Sequence, residues 1–389
     1  MKFELTFNKK ILILFVFPIV FQVEPYINNL YIKHDYLLFR IFRIFLSQVL
    51  FIIPILIIEC QTRKNSKEYF LDSNSNKDNE PSRKISGQVA IEIRKNKSKQ
   101  FKKNILFLLL LSALDLIAFF VNYIYYDEPG IKFFLNSIGI LFEIINFGVL
   151  SYFVLKQKFY KHHFISFGII FVSLMILFIV YVVEIDFHFY IIAYYFIYTL
   201  FYSLYCVLGK LYFNKLMRSP YYMLFMIGLI NSIGLLLYDI IAYFVNVEYS
   251  SIIIGLTENL DSVLDFLYFF IELIIKFIYT AGIWISIYYL TPYHFIISDF
   301  MSGMFKFYIT AITEAENEDE YYDTTKIIIF TIVYLINFIC SLIFNELFIC
   351  KLCELHYYTE KYIKIREVIE LSTIEKEEND QRESINSML

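Results

Sequence analysis

From Ile11 onward the chain alternates between apolar runs of similar length and short polar breaks. A helix crosses the hydrocarbon core of a bilayer in about 20 residues, and the runs divide into ten stretches of that size. They fall near 11–30, 36–59, 105–126, 131–154, 164–184, 187–209, 220–246, 264–290, 293–312 and 327–350. The pattern predicts an all-α membrane protein of about ten transmembrane helices. Only Thr291 and Pro292 separate the eighth run from the ninth. Proline disfavours helical geometry in the residue before it, so a tight turn is expected there. The first run lacks a small-residue cleavage site and continues to Leu30, which predicts a retained span and not a removed signal peptide.

One polar break is long. Residues 60–104 mix Lys, Arg, Ser and Asn without sustained periodicity and read as a disordered cytosolic loop. The expected organisation is therefore two helices over 1–59, the loop at 60–104, helices three to five over 105–184, a second five-helix half over 185–350, and a cytosolic tail over 351–389. Two groups of five form an inverted repeat if they share one fold, because an odd number of crossings reverses orientation; the site then lies at the repeat interface.

Charge agrees with this count. With a cytosolic N-terminus, 27 of the 34 Lys and Arg residues fall in cytosolic segments and only Lys33, Lys132 and Lys326 in the opposite loops. Cytosolic loops of membrane proteins carry such an excess, and both termini are placed in the cytosol. The basic stretch Arg94–Lys103 suits topological anchoring, or contact with anionic lipid.

Composition sharpens the class. The residues are 58% hydrophobic and 20% aromatic, against roughly 45–50% apolar in a soluble domain; lipid is the expected solvent and partner. With 34 Tyr and 43 Phe, a single aromatic position carries little information. Cys60, Cys206, Cys340, Cys350 and Cys353 make no disulfide framework. Every histidine falls in a loop or at the end of a run, whereas intramembrane metal or acid–base catalysis would need them deep and clustered. Cys350, Cys353 and His356 form half a zinc site with no second pair, and no glycine-rich phosphate loop is present. These absences point away from an enzyme, a cofactor and a nucleic-acid partner.

Candidate chemistry lies in the charges inside the runs: Glu24, Arg40, Arg43, Asp115, Glu143, Asp239, Asp265, Glu272, Lys276, Asp299, Lys306 and Glu346. A charge at the bilayer centre costs at least about 2.5–3.5 kcal/mol and usually marks a pathway or a pair. Several are near helix ends, where side chains reach the interface. Asp115, Glu143, Glu272, Lys276, Asp299 and Lys306 are too deep for that. Asp265, Tyr268, Glu272, Lys276, Tyr279 and Thr280 recur at spacings of three and four and share one face of the eighth helix. That face is either a self-neutralised Glu272–Lys276 pair or the lining of a cavity. The ninth helix aligns Asp299, Ser302, Gly303, Lys306 and Thr310; Asp299 and Lys306 stand about 10 Å apart along the axis, too far for contact. Tyr190, Tyr194, Tyr198 and Tyr202 form a column on the sixth, either packing or a ligand wall. Asn337, Ser341 and Asn345 on the tenth are expected to bind helices together.

Some stretches carry a family resemblance. The helix from Leu135 that runs through Val154–His163 straight into the next resembles the fourth-to-fifth helix junction of the drug/metabolite transporter superfamily. Thr291-Pro292 through Asp299 looks like the opening of that superfamily's ninth helix, and Phe344–Lys361 is similar to the terminal motif of its protozoan members. The resemblance implies a ten-helix inverted repeat that alternates access to a central cavity, with the fifth and tenth helices at a homodimer interface. Nucleotide-sugar carriers are one branch, but the Gly-Ala-Leu-Asn-Lys motif of GDP-sugar carriers is absent.

The sequence thus predicts a multi-pass secondary transporter of a small polar or charged solute, in an endomembrane or the plasma membrane. Spans three, four, eight and nine are expected to form its cavity. Asp115, Glu143, Glu272, Lys276, Asp299, Lys306, Tyr268 and Ser302 are the candidate solute-binding residues. The lysines would hold an anion, or the carboxylates a cation or protons. The alternative is a non-transporting scaffold or receptor built on a carrier fold.

Overall fold

Among the described residues, eight of the expected apolar runs fall on helices, and the breaks between them lie close to their predicted places. A computed structural model describes residues 36–61, 87–124, 129–182, 189–216, 219–245, 251–260, 262–297 and 324–347. In chain order the helices are α1 (Leu37–Val49), α2 (Gly87–Ile124), α3 (Pro129–Leu155), α4 (Lys161–Val182), α5 (Phe189–Leu216), α6 (Pro220–Val245), α7 (Ser251–Asn259), α8 (Val263–Tyr289) and α9 (Thr324–Phe344). Among the described residues there is no strand. Six stretches are long and apolar enough to cross a bilayer: Leu37–Gln61, Phe101–Asn122, Lys161–Ile179, Ile192–Lys215, Pro220–Val245 and Val263–Tyr289. Large apolar side chains such as Leu106, Phe153 and Phe244 are exposed, as expected of helices solvated by lipid. The protein is all-α, with the character of a multi-pass membrane protein. α3 and α9 occupy the fourth and tenth expected runs. The first run and all but 292–297 of the ninth lie outside the described residues.

Two local breaks follow from proline. Pro54 has no N–H to offer the Leu50 carbonyl, which accepts instead from Ile53 at 3.0 Å, and the chain tightens so that Leu50 and Phe51 bond three residues back to Ser47 and Gln48. The α1 span therefore bends at 50–51 before running on to Gln61. The Thr291–Pro292 turn is as tight as expected. Thr291 caps the next helix, its hydroxyl accepting from the His294 N–H at 3.3 Å, and proline fills the first helical position, where no donor is needed.

Two expectations need correction. The 60–104 segment is helical from Gly87, continuous with the third span. Its Gln, Ala, Glu, Lys and Arg residues are good helix formers, and a span already nucleated extends through them at little cost. The loop expected between spans seven and eight contains α7, whose first-turn amides of Ile252 and Ile253 donate to Asp239 on α6 at 3.1 and 2.8 Å. Ile252 is fully buried, and Gly255 lies so close to the Phe39 ring that a β-carbon would stand 2.6 Å from it.

The helices fall into two units. The first holds α1, α2, α3, α5, α6, α7 and α8. In it α1 packs on α6, α7 and α8, and α5 packs on α2, α3 and α8. Gly228 permits the α1–α6 crossing: a β-carbon there would lie 2.6 Å from Gln48 Cβ and 2.8 Å from the Phe45 carbonyl oxygen.

The second unit pairs α4 with α9. Ser173 donates to Asn337 across the pair at 2.5 Å, so Asn337 of the tenth run joins helices as expected, whereas Asn345 Nδ2 donates within its own helix end to the Ser341 carbonyl at 2.9 Å. α9 closes with paired bonds from Glu346 to Ile343 and from Leu347 to Leu342, with Glu346 in the left-handed region at φ 57°. That turn brings the Glu346 carboxylate to 3.5 Å from His162 Nε2 at the start of α4.

Gly228→Ala is expected to lower stability by about 1–3 kcal/mol, the usual range for overpacking. Gly234→Ala, which meets no atom within 4 Å, is expected to gain up to about 1 kcal/mol from helix propensity. Thermal unfolding of both variants in detergent checks the contrast.

Candidate functional site

The polar face expected on α8 turns inward at its centre. Glu272, Lys276 and Thr280 are buried, while Asp265, Tyr268 and Tyr279 are half-buried. Asp265 serves the helix end: its amide donates to Ser262 Oγ at 3.1 Å, and the same hydroxyl donates back to the carboxylate at 2.8 Å. Asp239 is likewise spent on the α7 amides.

Glu272 is the hub. Lys276 Nζ stands 3.3 Å from Oε1 as the expected i,i+4 partner. A second cation, Arg43 on α1, reaches Oε2 at 2.6 Å, and its guanidinium also lies 4.9 Å above the Phe39 ring. Phe39 in turn stacks on Phe269 of α8. One carboxylate thus serves two cations. Depth along the run does not single out Arg43, because an arginine seven residues inside a helix end usually extends to the interface. Its signal in the sequence is only that it lies on the α1 face that also carries Phe39.

Asp115 of α2 is buried at 2% exposure. Gln48 of α1 and Tyr205 of α5 are its polar neighbours, yet Asp115 Oδ2, Gln48 Oε1 and the Tyr205 hydroxyl make no hydrogen bond among the described residues. One turn earlier Ser112 donates to Asn231 of α6, whose amide returns a bond to the Ser112 carbonyl at 3.2 Å. Glu143 of α3 is half-buried and is an electrostatic neighbour of Tyr198, Tyr202 and Cys206 on α5. Asn146, one turn on from Glu143, donates to Thr199 at 2.9 Å.

The tyrosine column therefore has a specific place. Tyr198 and Tyr202 stack with ring centres 6.0 Å apart, Tyr279 of α8 is an electrostatic neighbour of both, and Tyr205 meets Trp284 edge-on at 5.0 Å. Cys206 has both Asp115 and Glu143 as electrostatic neighbours. Within this unit α5 thus gathers Asp115, Glu143 and Tyr279 around one line of phenols. The expected cavity is one of spans three, four, eight and nine; most of the ninth lies outside the described residues, and the sixth span packs on the third, fourth and eighth. Its role was obscured by the abundance of tyrosine.

Asp299, Ser302 and Lys306 lie outside the described residues. Among the described residues no group of three His, Cys, Asp or Glu side chains is placed to hold a metal ion. Chemically, the arrangement offers one cation-rich carboxylate knot and, separately, two carboxyls set among hydroxyls, an amide and a thiol.

The knot sets an order of mutational cost. Glu272→Gln removes the carboxylate that two buried cations share and is expected to cost about 3–5 kcal/mol, and Arg43→Met a similar amount. Lys276→Met leaves the 2.6 Å Arg43–Glu272 bond in place and is expected to cost less than either. The folded fraction of each variant on size-exclusion chromatography in detergent checks the ranking.

No protein-family model matches the sequence, and no curated protein is significantly similar to it.

Proposed function

We propose that the protein is a secondary transporter of a small polar or charged solute, built as a ten-helix 5+5 inverted repeat of the drug/metabolite transporter type with both termini in the cytosol. The observation that carries the reading is the placement of Asp115 and Glu143 inside the helical unit, grouped around the α5 phenols. Carboxyls are costly in hydrocarbon and are retained where they face a pathway or one another.

Helix contacts support the repeat. An inverted repeat exchanges span two with seven, three with eight and five with ten. The second and seventh spans (α1 and α6) pack together, as do the fifth and tenth (α4 and α9). The third packs on the seventh (α2 on α6) as the eighth packs on the second (α8 on α1). The second–third contact (α1 with α2) is matched by the seventh–eighth contact (α6 with α8). Each of these contacts has its image under the exchange, while the images of the sixth span's contacts would fall on the first, outside the described residues.

The Arg43–Glu272–Lys276 knot favours a second reading, because mutually paired charges are what a non-transporting scaffold would keep. The two readings part on solute movement. Full-length protein in sealed vesicles, offered a panel of charged metabolites, is expected to accumulate at least one of them. Glu143→Gln and Tyr198→Ala are expected to reduce that uptake about tenfold or more per folded molecule, as removal of a hydrogen bond to a charged group worth about 1.5–3 kcal/mol implies. Correctly folded protein that moves no member of the panel, or variants that transport normally, would return the chain to the scaffold reading.

A further inference from the structure

Several carboxylates among the described residues have evident partners, Glu258 with the Tyr36 hydroxyl at 3.0 Å among them. Glu272 has two cations, Asp239 two backbone amides, Asp265 a capping serine and Glu346 a histidine. Asp115 differs. It is as buried as any of these except Asp239, and Oδ2 receives no hydrogen bond among the described residues.

Among the described residues, the groups around it come from three helices packed on α2. α1 contributes Gln48, α5 contributes Tyr205 and Cys206, and α6 contributes Asn231, already engaged with Ser112. No lysine, arginine or histidine pairs with Asp115 among the described residues. The Arg43 guanidinium, five residues before Gln48 on α1, is turned to Glu272. An ionised carboxylate in such surroundings keeps neither water nor counter-charge, and a buried acid escapes that penalty by taking up a proton. A neutral carboxyl also offers an O–H where Gln48 Oε1 stands without a hydrogen bond among the described residues.

Resting on the transporter reading above, we propose that Asp115 is the proton-coupling site of this protein. It takes up one proton from water on one side of the membrane and releases it to water on the other. The chemistry is a single O–H bond, formed when a hydronium ion gives its proton to Asp115 Oδ2 and broken when the proton returns to water. Nothing is oxidised or reduced. Coupling follows from burial. The closed state excludes water and admits Asp115 as the neutral acid, so conformational exchange proceeds with the proton aboard. The knot at Glu272 holds its cations throughout and takes no part.

Two measurements on the full-length protein in lipid test this. Infrared spectra at neutral pH are expected to show the C=O stretch of a neutral carboxylic acid, which Asp115→Asn removes. Vesicles loaded with a pH-indicator dye, given a membrane potential and the same panel of charged metabolites outside, are expected to acidify faster than protein-free vesicles. Asp115→Asn is expected to lose that excess and Asp115→Glu, which restores a carboxyl, to regain part of it. An unchanged carboxylic-acid band in Asp115→Asn overturns the proposal, as does acidification that is the same in wild type and Asp115→Asn. Proton movement that depends on Asp115 while no metabolite enters would support the proton site and separately defeat the solute-carrier reading.

Discussion

A single carboxylate shared by two cations fixes the contact of α1 with α8 in the first unit. Glu272, Arg43 and Lys276 are all buried, so breaking either contact separates charges in a place poorly served by water. The bond from Arg43 ties α1 to α8, and α1 in turn touches α6 through Gly228 and α7 through Phe39 against Gly255. The rotation of α1 is thereby set. The same rotation carries Gln48, about 7.5 Å further along the axis, to its place beside Asp115. A structural knot and a chemically open carboxyl are thus positioned by one helix.

Uncharged polar pairs extend the framework. Ser112 with Asn231 links α2 to α6, Asn146 with Thr199 links α3 to α5, and Ser173 with Asn337 links α4 to α9. Hydrocarbon offers no competing partner, so small polar side chains at helix contacts specify which faces meet. Apolar packing alone would leave those faces less distinct, since leucine against leucine differs little from leucine against a lipid tail.

Much of this was legible in the chain. Run length gave the helices, the Thr291–Pro292 pair gave its turn, and the Asn337, Ser341 and Asn345 face gave a helix contact. What was not legible has identifiable causes. Arg43 and Glu272 are 229 residues apart, and no local spacing announces a partner at that range. Asp239 resembles any buried acid until the amides of Ile252 and Ile253 are seen to need it. The start of α2 is hidden because a lysine-rich helix beyond the membrane and a lysine-rich loop have the same composition. Tyr198 and Tyr202 are lost among 34 tyrosines.

The distance in sequence between Arg43 and Glu272 also bears on biosynthesis. At about 5–20 residues per second, a ribosome needs roughly 10–50 s to make the 229 residues that separate them. During that interval α1 is available for insertion, yet the carboxylate that neutralises its arginine has not been synthesised. Until α8 emerges Arg43 lacks this carboxylate, and a wet boundary, in the insertion machinery or at the headgroups, is the less costly place for it. Completion of the central contact is therefore a late step of assembly, governed by the order in which the ribosome delivers the two helices.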